Sequence, residues 1–231
     1  EIRRVLFRSF RADSQFPFRG LASVGLAFYT VAALRTRLRD DGHFAHHPEP
    51  DPRDLLDLVA LGTVADLVPL TEENRVITAL GLERLGQRKR PGLRALLQRA
   101  EVGLDQAIDA KTIGFRIAPR LNAPGRLGAA LPALQLLLAS EDEAEALAGE
   151  LENHNTLRRA EQERILAEAM PQVEAALAVA RPSSVMVIAG TGWAPGVVGV
   201  VAARIVDTVG KPTFVIAVDP DTGIGRGSAR T

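Results

Sequence analysis

Residues 185–218 read VMVIAGTGWAPGVVGVVAARIVDTVGKPTFVIAV. Val185 to Ala189 is a short β-rich apolar run, and Pro212 to Val218 is another. A glycine-bearing turn, GTGWAPG, leads from the first run into Val197–Val209, which reads as a helix. Strand, turn, helix, strand at this spacing is a βαβ unit, so its strands pair in parallel. The C-terminal part of the chain is therefore α/β.

Upstream the pattern is helical. Glu141 to Ala180 is rich in Ala, Leu, Glu and Arg and is broken only by Pro171. That length exceeds an ordinary globular helix and predicts a long connecting helix between two domains. Before it, helices are expected over Leu21–Leu38, from Asp54 through LLDLVALGTVADLVPL to Pro69, and over Glu72–Leu85, Pro91–Arg99 and Pro132–Leu138. The proline-rich segment DDGHFAHHPEPDPRD and the Pro- and Gly-bearing APRLNAPGR read as loops. Glu1 to Ser9 carries neither period and is set aside from the fold reading. The last residues, GRGSART, read as a glycine-rich loop after a strand, so the chain is expected to be an internal piece of a longer protein.

Composition narrows the chemistry. The 231 residues are 46% hydrophobic and 24% charged, enough apolar material for a globular core. Twenty-eight basic residues balance 28 acidic ones. Any nucleic-acid affinity must therefore come from local clustering, and the excess of Arg over Lys suits bidentate phosphate contacts. The absence of cysteine excludes disulfides, thiolate catalysis and zinc–thiolate sites. No apolar run would span a bilayer and no signal-peptide pattern opens the chain, so a cytoplasmic location with no membrane partner is expected.

Four places carry candidate chemistry. Asp66 ends an apolar run, where a carboxylate either caps locally or ligates a hard divalent cation. Arg120, Asn122 and Arg126 fall within seven residues of a segment stiffened by Pro119 and Pro124. Either they engage phosphate or they are solvated surface residues. In GTGWAPGVVG, helix-start N–H groups near Gly196 could receive an anion, although the spacing is not that of a dinucleotide fingerprint. Trp193 either stacks on a base or packs at a domain edge. GIGRGSAR offers Arg226, the Gly227 amide, Ser228 and Arg230 as a phosphate cradle, or else forms a solvent turn. His46 and His47 read as loop residues and His154 as an exposed helix residue. Arg158, Arg159 and Arg164 read as ion-paired on a solvated helix, or as a basic flank of a groove.

Taken together and in order, LASVGLAF, LLDLVALGTVADLVPLTEENR, IAPRLNAPGR, GWAPGVVGVVAAR and GRGSAR resemble the RecJ-type DNA exonucleases of the DHH/DHHA1 phosphoesterase family, from about Phe16 onward. The resemblance implies the C-terminal portion of a DHH domain over 1–140 (with 1–15 extraneous), largely helical, joined by a long helix over 141–180 to a smaller α/β DHHA1 domain, truncated, over 181–231. It implies a 5′–3′ exonuclease on single-stranded DNA in repair and recombination. Two Mn²⁺ or Mg²⁺ ions, about 3.5–4 Å apart in such sites, would activate water and stabilise the leaving oxygen.

The same resemblance implies that Asp66 is the one family metal ligand present. The upstream Asp and Asp-His-His motifs are missing, so the chain alone is expected to be inactive. Arg120, Asn122 and Arg126 fall where the family engages substrate phosphate, and Asp66 is expected to face the same cleft. GRGSAR, in place of the Gly-Gly-Gly-His of small-substrate members, points to polymeric DNA. Ala194 departs from the polar residue, often His, that follows the Trp in the family. Single-strand-binding protein and a helicase are implied partners. Two alternatives stand beside this one: a phosphodiesterase of short oligonucleotides or cyclic dinucleotides, and a non-catalytic single-strand-binding replication scaffold.

Overall fold

The structure, a computed structural model, describes residues 16, 18–179 and 183–231. Expectations placed on Glu1–Ser9, on the helix end at Ala180 and on the change of character at Pro182 lie outside the described residues. The chain divides into two compact units, Glu1–Ala118 and Pro119–Thr231. This boundary lies upstream of Glu141, where the connecting helix was expected to begin, and the whole of that helix belongs to the second unit.

In the first unit, α1 spans Ser23–Asp40 and carries Arg37 and Arg39 in its last turn, where cations complement the helix dipole. Two 3₁₀ turns, His43–Ala45 and Pro52–Leu55, follow within the expected loop. Helix α2, Leu56–Ala65, buries most of its residues, and α3, Glu72–Gly86, packs on it. The approach is close: a Cβ at Gly81 would lie 2.2 Å from the Leu56 carbonyl oxygen, so only glycine fits there. Asn74, 1% exposed, donates to the Gly20 and Pro69 carbonyls (2.7 and 2.9 Å) and ties α3 to the preceding chain. Leu21, Leu56, Val59 and Ile77 form the core here, with Phe18 and Phe28 beside them. Helix α4, Pro91–Arg99, opens on proline, whose missing N–H costs nothing in the first turn. Asp109 caps α5, Ala110–Thr112, by accepting from the Thr112 amide at 2.7 Å.

From α5 the chain runs through a π-type stretch, Ile113–Ile117, into α6, Ala118–Leu127. APRLNAPGR is therefore helical, which corrects the loop expected from its prolines and glycine. Pro124 has no N–H to donate within the helix, but Ala123 and Pro124 are buried, and packing outweighs that cost. Helix α7, Leu131–Leu138, leads to α8, Glu141–Leu177, whose 37 residues make a rod about 55 Å long. Ser140 opens α8: its amide and hydroxyl both donate to Glu143 (3.1 and 2.7 Å), which holds that carboxyl below its ordinary pKa.

The βαβ reading is borne out. Strand β1, Met186–Thr191, pairs in parallel with β2, Thr213–Val218, through helix α9, Val198–Val209. The stretch GRGSAR, expected as a loop, is instead strand β3, Gly225–Arg230, antiparallel to β2 in a sheet of order β1-β2-β3. Gly225 and Gly227 do not mark a turn: a Cβ at either would lie 2.9 Å from Ile216 Cγ2 or the Val215 carbonyl, so glycine lets β3 seat on β2. Ile165, Ala169 and Val173 of α8 share one core with Met186, Ile188, Val201, Ile205 and Val215. Gln172 of α8 fastens to β1 in both senses, donating to the Ala189 carbonyl (2.9 Å) and accepting from its amide (3.3 Å). Among the described residues no helix is long and apolar enough to cross a membrane.

Candidate functional site

The turn between β1 and α9 is built on contacts that tolerate no side chain. A Cβ at Gly190 would fall 2.1 Å from the Trp193 ring. Trp193 is 3% exposed and its Nε1 donates to Glu168 at 2.7 Å. Its ring packs within this turn. Glu161 accepts from the Ala194 amide at 3.2 Å, so this position is held through its backbone. Arg164 bridges Glu161 and Glu168 (2.8 and 2.7 Å), as the i,i+3 and i,i+4 spacings predict. The Arg164 guanidinium holds the Glu161 carboxyl below its ordinary pKa, and the Trp193 N–H does the same for Glu168.

The same turn meets α6. A Cβ at Gly196 would lie 2.1 Å from the Arg126 carbonyl oxygen, and Arg126 Nη1 donates to the Gly196 carbonyl at 3.1 Å. The structure thus brings Arg126 and Gly196, candidates from separate motifs, into contact. Ser228 and Arg230 alternate with glycine and alanine on β3 and lie over the first turn of α9. The ideal Cβ of Gly199 is 3.0 Å from Ser228 Oγ and 3.1 Å from Arg230 Nη2. Arg230 Nη1 donates to Ser228 Oγ at 2.9 Å. A hydroxyl and a guanidinium beside a helix start form a setting for an anion. Arg226 lines a cavity of about 260 Å³ with Trp193, Pro195, Asp219 and Ile224. The amides of Thr222 and Asp221 hold the Asp219 carboxyl below its ordinary pKa.

Arg120 is ion-paired with Glu152 of α8, and Asn122 is exposed. Asp66 is exposed at the C-terminal end of α2, where its amide closes the helix on Gly62 at 3.0 Å. The partial negative charge of the helix end adds to the carboxylate, which favours a cation. Among the described residues, however, no group of three or more Asp, Glu or His converges as a metal centre. A two-ion centre does not fit these residues by themselves. His46 and His47 are exposed, and His47 stacks on His43 with ring centroids 4.5 Å apart. His154 is half-buried rather than exposed.

Two features escaped the sequence reading. Asp57, 7% exposed, accepts from Arg90 Nε at 2.6 Å and from the Leu58 amide at 2.8 Å, joining α2 to the start of α4. Arg158, expected in solvent ion pairs, is 8% exposed and bonds amide side chains. Its place on the apolar stripe of α8 was the available signal.

The proteins this chain resembles form one class, exonucleases specific for single-stranded DNA. They are RecJ proteins: the chain is 42% identical over 217 residues to that of Bacillus subtilis, covering 94% of this chain and 25% of the relative. It is 41% identical over 226 residues to that of Dickeya dadantii, covering 95% and 39%. The crystal structure of RecJ from Thermus thermophilus in complex with Mn²⁺ matches with a TM-score of 0.73 at 35% identity, over 88% of this chain and 28% of that one. Its complex with Mg²⁺ matches equally well. The resemblance read from the motifs therefore extends along nearly the whole chain, which spans about a quarter to two fifths of these curated relatives. No family model matches the chain.

Proposed function

We propose that this chain is the strand-gripping part of a RecJ-type 5′–3′ exonuclease acting on single-stranded DNA in repair and recombination. One observation carries the reading. Arg126 and Gly196, two motifs shared with RecJ and 70 residues apart, close on each other at 3.1 Å. They do so in the unit where Ser228 and Arg230 frame the start of α9. Arginines so placed hold phosphates and leave the bases unread. Arg120, locked by Glu152, and Asn122 extend this surface along α6, and Arg226 with the Gly227 backbone extends it along β3. Residues 1–140 are assigned to a DHH domain, 141–180 to the long helix and 181–231 to a DHHA1 domain.

The RecJ structures that match were solved with Mn²⁺ or Mg²⁺. In this reading Asp66 supplies one carboxylate to such ions, which would activate water when bound. A cytoplasmic setting, with single-strand-binding protein and a helicase as partners, belongs to the same reading.

Fluorescence anisotropy with a 5′-phosphorylated oligothymidylate tests it. The 231-residue chain should bind, with affinity falling steeply between 50 and 200 mM salt. Duplex DNA of equal length should compete poorly. Cyclic dinucleotides displacing the strand at equal concentration would favour a small-substrate phosphodiesterase instead. With one candidate ligand, the chain should leave DNA uncut in manganese. Cleavage would overturn that part of the reading.

A further inference from the structure

The buried face of α8 runs Ala144, Ala148, Leu151, Asn155, Arg158, Ile165, Ala169 and Val173, at steps of three, four or seven residues. This is the stripe of a helix packed on a core, and it is apolar except at Asn155 and Arg158. Asn155 is fully buried, and its Nδ2 has no hydrogen-bond partner. Arg158 donates from Nη2 to Asn155 Oδ1 (3.1 Å) and from Nη1 to Gln162 Oε1 (2.9 Å), both neutral amide oxygens. Burial, then the like charges of Arg159 and Arg126, hold its pKa below the ordinary arginine value.

Two contacts tie α6 to α8 and to the core that α8 shares. Arg120 pairs with Glu152, before Asn155, and Leu127 packs on the cluster containing Ile165, beyond Arg158. Arg126, between Arg120 and Leu127 in sequence, donates to the Gly196 carbonyl. A guanidinium withdrawn from water with no counter-ion destabilises a fold, and leucine at this position would continue the stripe. Such a charge is balanced when an anion arrives from outside the chain.

We propose that Arg158 is a positioning residue, a buried charge behind Arg126 that strengthens the hold of that guanidinium on a phosphate of a bound DNA strand. The inference rests on the single-strand reading above and names one of its parts.

The test measures binding of the same oligothymidylate to the full chain, with thermal melting alongside. Arg158→Gln should weaken binding about five-fold, the scale of one unit charge acting over several ångströms near solvent. Its melting temperature should be unchanged or higher. Arg126→Gln should weaken binding and remove the effect of Arg158→Gln in the double variant. Arg158→Lys should bind within two-fold of the parent. Arg158→Met, which completes the apolar stripe, should melt no lower than the parent. The inference is overturned if Arg158→Gln binds as the parent does, or if its effect persists beside Arg126→Gln. It is equally overturned if both Arg158→Gln and Arg158→Met melt lower or fail to fold, because Arg158 is then structural. A parent chain with no salt-dependent affinity removes the single-strand reading itself.

Discussion

Two arginine neighbourhoods, one in each unit, are built differently. Arg90 meets Asp57 at 2.6 Å, and the carboxylate is also held by the Leu58 amide. Among the described residues Arg158 meets only the amides of Asn155 and Gln162. The first arrangement is complete within the chain and joins helices. The second leaves a charge to be balanced from elsewhere. Burial of a charge alone does not distinguish architecture from binding; the identity of the partner does.

The comparison breaks first at Asp57. Asp57→Ala should cost about 1.5–3 kcal/mol by removing a charge-assisted hydrogen bond from Arg90, read as a lower denaturant midpoint. A cost below about 1 kcal/mol would remove the contrast with Arg158→Gln, which is expected to lose nothing. Gly196→Ala comes next. Its Cβ would lie 2.1 Å from the Arg126 carbonyl, so α6 and the turn must part. Overpacking of this kind costs about 1–3 kcal/mol, and strand binding should fall with it. Normal binding by a well-folded Gly196→Ala chain would show that the junction is not part of the grip.

Glu168→Ala should cost about 1–2 kcal/mol by leaving the buried indole N–H unsatisfied. Trp193, the sole tryptophan, should report the change in its own emission. The smallest effect is with pH. Glu161 and Glu168 both have carboxyls lowered in the folded chain. Their contribution is therefore fully present above the ordinary glutamate value of about 4.3, and is lost as pH falls through the lower folded values. Trp193 emission should stay flat from pH 7 to 5 and shift only in stronger acid. A transition near pH 6 would exclude these two carboxylates as its cause.

What was legible in the chain followed locality. Met186–Thr191, Val198–Val209 and Thr213–Val218 each declare themselves through their own residues, and all three formed close to where they were expected. Strand β3 did not, because Gly225 and Gly227 look like turn residues until Ile216 is placed beneath them. Helix α6 was hidden by Pro124, whose cost is offset by burial that no local pattern displays. The candidate residues divided in the same way. Ser228 and Arg230 could be nominated by type, whereas the meeting of Arg126 with Gly196 arises only when α6 packs. The hold on Trp193 was not legible because its partner, Glu168, lies 25 residues away.

Gln172 has a last consequence for the sheet. Its carboxamide offers β1 a donor and an acceptor at Ala189, as an adjoining strand would. One border of the sheet is thereby plugged at mid-length by a helix side chain. Strand-by-strand accretion, the usual hazard of an unprotected β margin, is blocked there by a single residue.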